Sequence, residues 1–161
     1  KRVDLFSESF GEGDPGFGGA SRVNLQGGCL LLGPQKRSRW RNAYLGNRWF
    51  PKAAVASKRA RVSLRYRTGG NVGSLTVSLS LAPSGAGRGK RSTYRLNLPP
   101  SKDWAPLDAA IPQFSKAGRA EAVDMRRSYN VLGIFFSAGR KPQQGDVHID
   151  DIAVYDVVKE K

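Results

Sequence analysis

Between Ala60 and Thr68 the chain alternates strictly, with Val62, Leu64 and Tyr66 on one side of an extended backbone and Arg61, Ser63, Arg65 and Arg67 on the other. A period of two fits a half-buried strand and not a helix. After the turn Gly69-Gly70-Asn71 the pattern returns: Leu75, Val77, Leu79 and Leu81 face one way, Ser74, Thr76, Ser78 and Ser80 the other. The two segments together predict a hairpin with a hydroxyl-rich outer face. A third segment agrees, with Tyr94, Leu96 and Leu98 opposite Arg95 and Asn97. No stretch of twelve or more residues keeps a helical period. Further strands are predicted at Val3 to Phe10, Ser21 to Gly33, Ala43 to Phe50, Trp104 to Ile111, Asn130 to Ser137 and Asp146 to Val157, separated by Gly, Pro, Ser and Asn clusters. Eight or nine short strands in 161 residues predict a single all-β domain, a β-sandwich jelly roll of two antiparallel sheets. Val131 to Phe136 is apolar on both faces and reads as a central strand covered on both sides.

The charge balance narrows the partners. Twenty-seven Lys and Arg against thirteen Asp and Glu leave +14, which concentrates polyanions near the surface. Nucleic acid, a sulfated or uronic polysaccharide and an anionic membrane surface all qualify; the plain alternative is a charge that serves solubility alone. The cations gather in loops: Pro34 to Arg48 carries Lys36, Arg37, Arg39, Arg41 and Arg48, and Ser84 to Arg91 carries Arg88, Lys90 and Arg91. Lys116 to Arg127 mixes signs and fits a short helix or a plain loop. Cys29, in the run Cys29-Leu30-Leu31-Leu32, is the only cysteine, reads as a small buried hydrophobe and can form no internal disulfide. No apolar stretch approaches a membrane span. A chain that opens at Lys1 reads as a processed piece of a larger protein.

Catalytic constellations are scarce. His148 is the only histidine and lies in the last strand. Gly85 to Lys90 lacks the Lys-Ser/Thr ending of a phosphate loop, because Arg91 follows Lys90. Carboxylates are few and no pair suited to glycoside hydrolysis stands out. A polysaccharide lyase using Tyr and Arg, or an ancillary scaffold domain, remains an alternative to a non-catalytic role.

The two ends of the chain carry a resemblance. Leu5-Phe6-Ser7-Glu8-Ser9-Phe10 and Val147-His148-Ile149-Asp150-Asp151-Ile152-Ala153-Val154 resemble the terminal strands of carbohydrate-binding modules with a galactose-binding-like jelly roll. Arg61 to Thr68, Trp104 to Phe114 and Leu132 to Phe136 resemble inner strands of the same family, in the same order. The resemblance implies a secreted or cell-surface location, a module attached to other domains of a larger extracellular protein, and Trp104 as a packing residue. It also implies a structural calcium ion shared by the terminal strands, with Glu8 and Asp150 or Asp151 as ligands, since calcium takes hard oxygen donors. Simple alternation puts those two aspartates on opposite faces, leaving one for the metal and, alternatively, both free to pair with arginines.

Two ligand surfaces follow. The first is the sheet face carrying Arg61, Arg65, Arg67 and Arg95 among Ser and Asn side chains, where guanidinium forks match carboxylate or sulfate oxygens and Arg65, Arg67 and Arg95 are the principal contacts; the alternative is a merely solvated face. The second is the loop holding Arg39, Trp40, Arg41, Tyr44, Arg48 and Trp49, whose aromatic rings suit a pyranose face or a base. Trp49, next to Phe50-Pro51, is also a candidate for the core. An acidic polysaccharide is the expected partner. Nucleic acid is less favoured, because no RNA-recognition, K-homology or zinc-finger signature is present.

Overall fold

The three alternating segments all form strands, but the hairpin expected of the first two does not exist. In the computed structural model, which describes residues 1–13, 15–19, 21–24, 27–33, 41–46, 55–70, 72–86, 88–138 and 145–159, the strands run in chain order as β1 (Arg2–Glu8), β2 (Gly18–Gly19), β3 (Ser21–Asn24), β4 (Cys29–Leu32), β5 (Arg41–Leu45), β6 (Val55–Ala56), β7 (Arg61–Thr68), β8 (Leu75–Pro83), β9 (Ser92–Leu98), β10 (Ala105–Ala110), β11 (Ser115–Lys116), β12 (Tyr129–Ala138) and β13 (Val147–Val157). One sheet has the order β10-β7-β13-β4-β3, with β1 also on β13; the other has the order β11-β9-β8-β12-β5-β2, with β6 also on β12. Consecutive strands β7 and β8 therefore sit in opposite sheets. Alternation shows that each strand has one apolar face, and two such faces are buried equally well side by side or across a core. Here the connection steps between layers: Gly69 N–H donates to the Asp146 carbonyl, and Val72 is buried.

The fold is a β-sandwich of two antiparallel sheets, as the strand pattern predicts. Its core joins Leu30, Leu32, Val62, Leu64, Ile149 and Val154 of one sheet to Leu45, Leu75, Val77, Leu79, Ile134 and Phe136 of the other. Cys29 is buried, as a small hydrophobe would be. The predicted strand Ser21 to Gly33 divides into the paired strands β3 and β4. Lys116 to Arg127 is a looped segment with one bridge, Ser115 to Ala122, and no helix. No helix among the described residues is long and apolar enough to cross a membrane.

Two bulges set which side chains leave the core. In β12 the pairing with β8 slips between Val131 and Gly133, and the slip turns Val131, Ile134 and Phe136 inward and Leu132 and Phe135 outward. Gly133 is required there: a Cβ would lie 2.8 Å from the Leu45 carbonyl oxygen. The strand is central, as expected, but its outer apolar side chains are half-exposed rather than covered. In β13 the slip falls between Asp150 and Ala153, with Asp151 at φ 49°. Both aspartates then reach the same arginine instead of taking opposite faces. Arg65 donates to Asp150 Oδ2 from Nε at 3.2 Å and Nη2 at 2.5 Å, and its Nε lies 3.0 Å from Asp151 Oδ2.

Two arginines on the outer face of the six-stranded sheet, Arg61 and Arg65, are paired with carboxylates. Arg61 pairs with Asp108 at 2.8 Å, and the Tyr155 hydroxyl donates to the same carboxylate. Burial pushes Asp108 up, but the hydrogen bonds from Arg61 and Tyr155 outweigh it and hold the group below its ordinary range. Trp104 does not fill the core as the resemblance implies: it is 36% exposed, with Arg65 and Arg67 stacked on its ring at 4.8 and 5.2 Å. His148 meets the ring edge-on, and burial, then the Arg67 charge, hold it below the usual imidazole range. Asp150 is only 4% exposed, so removing its cation strands a buried carboxylate. Arg65→Leu should lower the unfolding free energy by about 2 kcal/mol, and Asp150→Asn added to it should restore part of the loss in urea titrations. A double variant no more stable than the single one would refute this account of the pair.

Candidate functional site

Outward-facing residues of the seven-stranded sheet form the floor of a cleft of about 430 Å³. Strand register lines up its central row: Tyr44 on β5 lies opposite Phe135 on β12, Phe135 opposite Ser78 on β8, and Ser78 opposite Arg95 on β9. These four side chains cross the sheet at right angles to its strands. The Tyr44 and Phe135 rings stack with centroids 6.5 Å apart and planes 16° from parallel. Tyr44 is 50% exposed, the most exposed aromatic among the described residues. The next row adds Thr93, Ser80 and the bulged Leu132, with Arg91 just before β9. On the far side, the Thr76 hydroxyl donates to Asn97 Oδ1 at 2.8 Å.

The cleft is chemically divided. Its β5–β12 half exposes Tyr44, Phe135 and Leu132; its β8–β9 half exposes hydroxyls and Arg91 and Arg95. No carboxylate lines it among the described residues, and none there pairs with Arg91 or Arg95. This contrasts with Arg61 and Arg65 on the opposite sheet.

The first predicted surface is thus split. Arg65 and Arg67 belong to β7 in the six-stranded sheet and Arg95 to β9 in the other. They cannot act together, because the core lies between them. Of the second surface, Tyr44 is in the cleft, Arg41 opens β5, and Arg39, Trp40, Arg48 and Trp49 lie outside the described residues. Phe135, Leu132, Ser78, Thr93 and Arg91 complete the site without having been singled out for it. The legible signal was the excess of apolar side chains on both faces of Val131 to Phe136, read as coverage by another layer.

A second, polar pocket of about 380 Å³ lies where the terminal strands meet and is lined by Glu8, Glu12, Asp151 and Arg2 among others. Glu8 pairs in register with Ile152, and its carboxylate accepts from the Phe10 N–H. Phe10 and Asp151 hold positive φ at 58° and 49°. Glu8 and Asp151 thus line one pocket with carboxylate oxygens of the hard type calcium takes, although no group of three acidic, His or Cys side chains converges among the described residues. Asp150 does not line this pocket: Arg65 and the Asp151 N–H occupy its oxygens.

No protein-family model and no curated protein matches the sequence. Solved structures do. The family 11 carbohydrate-binding module from Clostridium thermocellum, in complex with a β-1,3-1,4-mixed-linked tetrasaccharide, superposes with a TM-score of 0.58 at 13% identity, over 99% of this chain and 97% of that one. The fold is that of a carbohydrate-binding module. A family 30 carbohydrate-binding module agrees, with a TM-score of 0.59 at 14% identity over 100% of this chain and 90% of that one. An exo-β-agarase contains the same fold as a part: 98% of this chain matches 25% of that one, with a TM-score of 0.58 at 12% identity.

Gly18 on β2 sets the pose of the exposed tyrosine. It pairs with Tyr44, and a Cβ there would lie 2.6 Å from Tyr44 Cζ and 2.7 Å from its hydroxyl oxygen. Gly18→Ala should displace the tip of the Tyr44 side chain while leaving the core intact. The Phe135 aromatic protons should lose their ring-current shift in NMR spectra with the melting temperature moving by less than about 3 °C. Unchanged Tyr44 and Phe135 resonances would remove Gly18 from this role.

Proposed function

We propose that this chain is a non-catalytic carbohydrate-binding module that seats an acidic polysaccharide in the cleft of the seven-stranded sheet. The observation that carries the reading is the transverse row Tyr44, Phe135, Ser78 and Arg95. Stacked, exposed aromatic faces suit the apolar side of a pyranose. The half-exposed Ser80 and the exposed Thr93 offer hydroxyls for sugar hydroxyls, and two arginines without a carboxylate partner among the described residues suit carboxylate or sulfate. Hydrolysis by paired carboxylates is disfavoured by the lack of any carboxylate among the described lining residues. The exo-β-agarase, in which this fold is a quarter of a longer chain, supports attachment to a larger protein, which we place outside the cell or at its surface.

Calorimetric titration against neutral, uronic and sulfated polysaccharides and single-stranded nucleic acids tests this. Acidic glycans should bind most tightly. Tyr44→Ala should weaken binding about tenfold, and Arg95→Ala should weaken acidic glycans by a similar factor while sparing neutral ones. Preference for nucleic acid over every acidic glycan would overturn the reading.

We also propose that Glu8 and Asp151 hold a structural calcium ion between the terminal strands, with Asp150 outside the ligand set. Chelation should lower the melting temperature by about 5–10 °C, and Asp151→Asn should abolish that sensitivity. An unchanged melting curve with no metal found by elemental analysis would remove the ion.

A further inference from the structure

The division of the cleft implies more than a taste for anions. Along the central row the side chains change from apolar to cationic in a fixed order set by the strand register. From Phe135 to Arg95 there are two inter-strand steps, β12 to β8 and β8 to β9, a span of about 10 Å. That is close to the length of one disaccharide in an extended polysaccharide. A pyranose stacked on the Tyr44–Phe135 platform therefore places the neighbouring sugar over β8, with a substituent of that sugar in reach of Arg95 and Arg91.

The two halves make opposite demands. An anionic substituent held over the platform would lose water against apolar surface and meet the negative faces of two rings. An uncharged sugar at the β9 end would leave Arg91 and Arg95 without a counter-charge. We propose, building on the glycan-binding reading, that the cleft selects glycans in which uncharged and anionic residues alternate, bearing one sulfate or carboxylate per disaccharide.

The test uses oligosaccharides of one linear backbone and equal length in three forms: uncharged, anionic on every second residue, and anionic on every residue. Each charged form is made with sulfate and with carboxylate to separate the two anions. The wild-type chain should bind the alternating form at least tenfold more tightly than either other form. Arg91→Ala/Arg95→Ala should reduce the alternating form to the affinity of the uncharged one. Tyr44→Ala should weaken the alternating and uncharged forms by the same factor, with melting temperatures of all variants unchanged. Equal or tighter binding of the fully charged form overturns the proposal and leaves glycan binding standing. Absence of binding by every form removes both.

Discussion

A single extra residue in β12 governs both the core and the cleft. Upstream of the slip between Val131 and Gly133, Tyr129 and Val131 point inward; downstream, the inward residues are Ile134, Phe136 and Ala138. Without it, continued alternation would send Phe135 and Ser137 into the core and turn Ile134 and Phe136 to solvent, against an uninterrupted β8 that supplies Leu75, Val77, Leu79 and Leu81. The bulge is tolerated because Gly133 has no Cβ to meet the Leu45 carbonyl. One backbone irregularity thus completes the apolar interior and delivers Leu132 and Phe135 to the opposite surface, where Tyr44 meets them.

The same device has an opposite electrostatic result in β13. Its slip gathers Asp150 and Asp151 onto Arg65, while Asp108 takes Arg61 and Trp104 receives two guanidinium groups. A guanidinium whose donors are filled by carboxylates has little left for an external anion. Arg61 and Arg65 of β7 thus satisfy carboxylates of their own sheet, and Arg65 and Arg67 cover an aromatic ring, while Arg91 and Arg95 have no carboxylate partner among the described residues. What separates a paired arginine from an unpaired one is the identity of the residue on the neighbouring strand.

That distinction marks where the sequence was legible. Periodicity located most of the strands, identified the buried set Val62, Leu64, Tyr66, Leu75, Val77 and Leu79, and led to a two-sheet sandwich. It could not say which strands share a sheet, since alternating patterns in β7 and β8 are satisfied by pairing or by facing. Grouping Arg65 and Arg67 with Arg95 followed from that ambiguity. The bulges were invisible for a related reason: a period of two offers no mark of an inserted residue unless partner register is known. Tyr44 was recognised by its aromatic character beside arginines, whereas Ser78 and Thr93 are ordinary outward hydroxyls that gain meaning from lying in line with Phe135 and Arg95.

Register also explains how a surface this specialised coexists with a stable core. Each cleft residue lies beside residues of the core: Ser78 between Val77 and Leu79, Phe135 between Ile134 and Phe136, Tyr44 between Ala43 and Leu45, and Arg95 between the buried Tyr94 and the half-buried Leu96. The core residues fix the backbone, and the backbone fixes the spacing of the outward row at one strand separation per step. Side chains in that row can change with little loss of core packing, but their spacing cannot change without shifting the register of four strands. The scaffold therefore leaves the chemistry of the outward row open to substitution and holds its spacing nearly constant.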